Sequence, residues 1–213
     1  MRLCHSGRPK TPLLGLLGRL CHTLSFGKRK KEVTVSNTIS FVQEQGIATL
    51  SFDNPARRNA LGATELAAID TALDALEPAT RVLVITSSDD RIFCAGADLS
   101  QILDGVISGD RFQSVTNRIA GLPIPTIAVL TGNVFGGGAE LALSCDFRIG
   151  RAGMILRIPA AAIGLCYPVE GIERLTRRLG PNLCKRLLVA AETFSSEQLL
   201  AHQLLTISST VLL

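Results

Sequence analysis

Phe135-Gly136-Gly137-Gly138-Ala139-Glu140 follows the apolar run Thr126-Ile127-Ala128-Val129-Leu130, so a strand leads into consecutive glycines whose first following charge is one carboxylate. The glycines leave backbone amides with no side chain over them, where Glu140-Leu141-Ala142-Leu143 begins a helix. Bare N–H groups and the positive end of a helix then face one spot. A developing oxyanion suits such a spot, since each aimed donor contributes ~3 to 4 kcal/mol to lowering a barrier. A carboxylate one turn further on can move protons. The alternative is a glycine turn that only lets a helix pack close to a strand.

The same pattern occurs earlier. Val82-Leu83-Val84-Ile85-Thr86 is a continuous apolar run, as a strand covered on both faces requires. It is followed by the small-residue loop Phe93-Cys94-Ala95-Gly96-Ala97-Asp98-Leu99, leading toward a polar helix. Two such turns at the ends of neighbouring strands place two amides near one oxygen. Before them, Ile39-Ser40-Phe41-Val42 and Ile47-Ala48-Thr49-Leu50-Ser51-Phe52 alternate around Gln45-Gly46, which predicts a hairpin. Leu66, Ile69, Leu73 and Leu76 keep helical spacing over residues 64–76, ahead of Pro78. Further on, Cys145 to Ile149 is predicted as a short strand, and helices are predicted over residues 170–179, 182–191 and 196–204. The expected class is α/β, built from ββα units.

Composition narrows the function. The chain has 213 residues, 46% hydrophobic and 19% charged, which fits one globular domain with a sizeable core. No apolar run is long enough for a membrane span. The net charge of +4 is misleading, because residues 1–31 carry eight Lys/Arg and no acid. From Glu32 onward fourteen basic residues face eighteen acidic ones, which argues against a general nucleic-acid surface. Six scattered cysteines without C-x-x-C spacing read as free thiols in a reducing compartment. Three scattered histidines give neither a zinc site nor a Ser/His/Asp triad anything to build on.

Residues 1–36 are read as a basic extension, and residues 37–213 as the domain. A transit peptide, a disordered arm and upstream sequence before a truer start all remain open for the extension. A cytoplasmic location is expected, or the mitochondrial matrix if the extension is a transit peptide.

Asn59-Ala60-Leu61, Phe93 to Leu99, Pro125 to Val129, Gly136 to Ala142 and Cys145-Asp146, in that order and spacing, resemble the enoyl-CoA hydratase/isomerase (crotonase) family over residues 39–200. The resemblance implies a crotonase-like spiral of ββα units and a homotrimer or hexamer. Its substrate is an acyl-CoA thioester whose carbonyl oxygen sits between two backbone amides, here those of Ala97 and Gly137. Glu140 matches an acid/base carboxylate. Coenzyme A arrives as part of the substrate, so no separate cofactor and no metal are expected. Its adenine is placed near Ala95 to Leu99, including Asp98, with Gly136 also at the substrate. Arg57 and Arg58 match the basic position near the phosphates, where a guanidinium fork suits phosphate; a solvated arginine pair is the alternative.

The sequence departs from the hydratase pattern. Ala160, after Pro159, occupies the position of a second glutamate, and a methyl group handles no proton. Glu170 and Tyr167 are candidate replacements. Tyr167 resembles the tyrosine that faces the departing carboxylate in methylmalonyl-CoA decarboxylases; a helix-end charge and a packed phenol are the alternatives. The chain also stops short of the C-terminal helices usual in the family, so that region is expected to be truncated. Hydration or dehydration of a 2-enoyl-CoA is the expected activity. An isomerase, a malonyl-type decarboxylase and a weakly catalytic CoA-binding homologue are the alternatives.

Overall fold

The computed structural model describes residues 31–210. The segment read as a basic extension therefore lies outside the described residues as far as position 30.

Strands β1 (Lys31–Thr34), β2 (Ile39–Glu44) and β3 (Ile47–Phe52) form an antiparallel meander. The β2–β3 turn is the predicted one. Gln45 and Gly46 both have positive φ, +52° and +81°, as a two-residue hairpin matching strand twist requires. After a 3-10 turn at Pro55–Arg57 come β4 (Ala60–Leu61), α1 (Ala63–Asp74) and β5 (Val82–Ser87). β5 pairs parallel with β3 and with β8 (Thr126–Leu130), which is buried along its whole length. β10 (Phe147–Arg151) and β13 (Ile207–Ser209) continue the parallel part, completing a seven-stranded sheet.

The apolar runs of β5 and β8 are explained by burial on both faces. Leu83, Ile85, Ala128 and Leu130 enter the main core with the α1 residues Leu66 and Ile69. Val84, Ile127 and Val129 face the other way and form a smaller cluster.

A second sheet positions the site. Its strands run in the order β12 (Thr193–Ser195), β11 (Ile155–Arg157), β9 (Asn133–Phe135), β6 (Ile92–Cys94). β6 and β9 are parallel, so the chain leaves both at the same end of the sheet. From β6 it enters β7 (Gly96–Ala97), paired parallel with β4, and then α2 (Leu99–Leu103). From β9 it passes through Gly136 into α4 (Gly137–Ser144). α3 (Gly109–Ala120) packs against both α1 and α4.

α5 (Val169–Leu188) also packs against α4. It is two helical pieces joined at Gly180, whose φ of +77° breaks the helix before Pro181. The break agrees with the two predicted helices, while α6 (Ser196–Ala201) ends earlier than predicted. The strand predicted from Cys145 begins at Phe147, because Asp146 is used elsewhere. Its carboxylate accepts from Thr126 N at 2.9 Å and Thr126 Oγ1 at 3.0 Å, pinning the start of β8.

Candidate functional site

Two glycine backbones meet where the turns after β6 and β9 come together. A Cβ on Gly96 would lie 2.4 Å from Gly137 N, and Gly96 has a φ of +89°. A side chain at position 96 is therefore excluded on both counts. A Cβ placed on Gly137 would lie 3.3 Å from Ala97 N, so the Ala97 and Gly137 amides share a small space. Asp98 N donates to Leu61 O at 3.0 Å, and consecutive amides of an extended chain point in opposite directions. The Ala97 N–H is thereby turned away from β4. Gly137 N opens α4, where amides have no partner inside the helix. Gly136 makes this entry possible with a φ of +51°.

Both amides border a cavity of about 260 Å³, whose lining includes Ala95, Gly136, Leu99, Ala160 and Tyr167. Phe112 and Ile102 supply apolar wall. Glu140 lines it too, although only 2% of the residue is accessible. Its Oε1 accepts from Arg174 Nη1 at 3.2 Å and from Thr116 Oγ1 at 3.3 Å. Arg174 also donates to Thr116 Oγ1 at 3.1 Å and to Asn117 Oδ1. Burial pushes the Glu140 pKa above its ordinary value, and the Arg174 charge and the hydrogen bonds offset this only in part. Burial likewise lowers the Arg174 pKa despite the Glu140 charge beside it.

Tyr167 brings a phenol whose oxygen is buried and has no hydrogen-bond partner among the described residues. Burial, then the Glu140 charge, raise its pKa well above the usual phenol value, so the hydroxyl keeps its proton. Gln113 Oε1 is the other buried polar side-chain atom in that condition.

The remaining sequence candidates fall outside the cavity lining. Glu170 is exposed in the first turn of α5. Arg57 forms an ion pair with Asp98 Oδ2 at 2.9 Å, with 57% of its side chain exposed. Asp98 also caps α2, its Oδ1 accepting from Ser100 N at 3.1 Å and Gln101 N at 3.4 Å. Arg58 is exposed, and its carbonyl accepts from Ala95 N at 3.0 Å, tying its turn to the β6–β7 loop. The neighbouring Asn59 is buried, and its Nδ2 donates to Ser87 Oγ at 2.8 Å and Ile92 O at 3.0 Å.

Sequence reading missed Arg174, Thr116 and Gln113. Thr116 and Gln113 had a readable signal, as polar residues three apart on the same side of a helix as Phe112, Val115 and Ile119. Arg174 had none, since α5 carries several arginines.

Among the described residues, no helix is long and apolar enough to cross a membrane. Known proteins agree with this architecture. The family model for enoyl-CoA hydratase/isomerase matches residues 42–206. The chain is 33% identical over 163 residues to a crotonyl-CoA hydratase of Syntrophomonas wolfei, covering 73% of this chain and 63% of that protein. It is 36% identical over 169 residues to the human mitochondrial enoyl-CoA hydratase domain-containing protein 2, covering 76% of this chain and 57% of that one. The crystal structure of a methylmalonyl-CoA decarboxylase aligns with a TM-score of 0.75 at 26% identity, covering 81% of this chain and 68% of that one. The chain thus spans between about half and two thirds of the length of the curated relatives it matches. With the matched region taking in both glycine turns, Glu140 and α5, the chain belongs to the enoyl-CoA hydratase/isomerase family.

Proposed function

We propose that this protein hydrates 2-enoyl-CoA thioesters and dehydrates the corresponding 3-hydroxyacyl-CoA. The observation that carries this reading is a buried carboxylate, Glu140, in one cavity with the Ala97 and Gly137 amides. The thioester oxygen sits between those amides, with the acyl chain against Phe112 and Ile102. Glu140 takes a proton from water as the water oxygen bonds to C3. The C2=C3 electrons move onto the thioester oxygen, where the two N–H groups stabilise the enolate. Glu140 then returns the proton to C2. The substrate brings its own coenzyme A, and the proposal involves no other cofactor. Arg57 and Arg58 are proposed near the CoA phosphates, and assembly as a homotrimer or hexamer is part of the reading. The location proposed is cytoplasmic, with the mitochondrial matrix as the alternative; the human relative's name carries the word mitochondrial.

The test is loss of the enone-thioester absorbance of crotonyl-CoA with purified protein. Turnover that falls at least 10²-fold in Glu140→Gln is expected. Binding of acyl-CoA with no turnover would overturn the reading in favour of a CoA-binding homologue.

One observation favours a second reading within the family. Tyr167 lines the same cavity, and its hydroxyl, which has no partner among the described residues, suits the departing carboxylate of a malonyl-type thioester. The C2–carboxylate bond would break, its electrons passing onto the thioester oxygen as CO₂ leaves, and the enolate held by the same two amides would take a proton from solvent at C2. CO₂ release that is lost in Tyr167→Phe, without hydration of crotonyl-CoA, would favour it. A double-bond isomerase also needs only one proton-handling group.

A further inference from the structure

We propose that Arg174 is a positioning residue that keeps Glu140 ionised and aims one of its oxygens into the cavity. The inference rests on the reading of Glu140 as the proton-handling group. The hydrogen bonds that Arg174 Nη1 at 3.2 Å and Thr116 Oγ1 at 3.3 Å donate to Glu140 both end on Oε1. In this proposal Oε2 is the oxygen offered to substrate. Arg174 is itself fixed, because its fork bridges Thr116 and Asn117 on α3 while 12% of its side chain is accessible. A guanidinium held at several points is a directional partner as well as a counter-charge.

The surrounding space is tight. A Cβ on Gly171, one turn before Arg174, would stand 3.0 Å from Glu140 Oε1 and 3.3 Å from Gln113 Oε1. A glycine there allows α5 to approach closely enough for Arg174 to reach the carboxylate. A cation at this point matters more because position 160 is alanine. With no second carboxylate among the described residues that line the cavity, one group must both accept and return the proton, so Glu140 must recover its charge in every cycle. Burial opposes that charge, and Arg174 supports it.

The titratable groups facing Glu140 are few. Arg174 comes from α5, with Glu170, Arg177 and Arg178 on the same helix acting on it at longer range. Tyr167 comes from the preceding loop and feels both Glu140 and Cys94 of β6. α3 presents the neutral Gln113 and Thr116. Removing Arg174 therefore takes away the cation that, among the described residues, is bonded to the carboxylate, and the Glu140 pKa moves further up.

The experiment follows the Glu140 carboxylate band by infrared titration of the full chain, assigned by its absence in Glu140→Gln. Wild type, Arg174→Lys and Arg174→Met are compared without substrate. The band should disappear at a higher pH in Arg174→Met than in wild type, with Arg174→Lys in between. The acid limb of kcat/KM for crotonyl-CoA should move the same way, with kcat about tenfold lower in Arg174→Met. If Arg174→Met does not fold, the shift in Arg174→Lys, which keeps charge but loses the fork, decides alone. Superimposable Glu140 titrations in wild type and the folded variants overturn the inference. A shifted titration in a wild-type protein inert to crotonyl-CoA supports the Arg174 role and overturns only the hydratase reading.

Discussion

Gly96 and Gly137 lie so close that a Cβ on Gly96 would stand 2.4 Å from Gly137 N and 3.0 Å from Gly137 Cα. The separation of the Ala97 and Gly137 amides is thus set by backbone against backbone. Gly96→Ala should force the turns apart at a residue whose φ is +89°. Misaligning one oxyanion donor typically lowers kcat by about 10² to 10³, and the strained backbone should destabilise by about 1 to 3 kcal/mol. Crotonyl-CoA turnover, the melting temperature and acyl-CoA binding check this together. A variant that turns over like the parent would mean that the amides are not the donors.

Glu140→Gln separates function from stability. Burial raises the Glu140 pKa, so the folded chain holds this proton more tightly than the unfolded one. The stability contributed by this group is therefore fully present below its unfolded pKa and is lost as pH rises through the folded value. Glutamine carries no charge to bury. Glu140→Gln should thus melt at or above wild type near about pH 8, with the difference shrinking toward about pH 4. Melting curves at several pH values check the sign. A variant much less stable than wild type only at high pH would show that the Arg174 ion pair outweighs burial.

Particular residues show how much of this was legible beforehand. Gln45-Gly46, the apolar β5 and β8 runs and the glycines at 96 and 136–138 are local signals, each a consequence of backbone geometry or two-sided burial. They placed the α/β elements and the two small-residue turns, the family resemblance singled out Ala97 and Gly137 within them, and these line one cavity with Glu140. Arg174 was not legible, because its contact with Glu140 spans 34 positions and depends on how closely α5 approaches α4. Glu170 and Arg174 sit four apart on one helix, yet only the second turns inward. No count of charges along the chain distinguishes them. Asp146 shows the same limit on a smaller scale, since its bonds to Thr126 delay β10 by two residues.

Ala160 lines the cavity that Glu140 borders, and 8% of it is accessible. Ala160→Glu should supply the second carboxylate that the single-group mechanism lacks. Crotonyl-CoA hydration is expected to rise at least tenfold, a modest part of what a positioned acid or base typically contributes. Like charges in one cavity disfavour joint ionisation, so the acid limb of the rate profile should move to higher pH. Ala160→Gln, which adds bulk without a titrating group, should give no gain. An Ala160→Glu variant that binds acyl-CoA normally but hydrates no faster would show that the missing glutamate does not limit the reaction.

Tyr167 separates a packing role from a ligand role. Its hydroxyl is buried without a partner among the described residues, and burial keeps it protonated. A buried polar group left unpaired typically costs about 1 to 3 kcal/mol. Tyr167→Phe removes that group and keeps the ring, so the free protein should melt higher, by ~2 to 4 °C for each kcal/mol at this chain size. If the hydroxyl exists to donate to a substrate oxygen, the same variant should bind that substrate more weakly, reversing the order of melting temperatures when ligand is added. Melting wild type and Tyr167→Phe with and without crotonyl-CoA and malonyl-CoA therefore identifies the partner. Reversal by malonyl-CoA alone would point to a carboxylated acyl group, and reversal by both to the shared thioester. A gain in stability that no thioester reverses would leave the phenol as core packing.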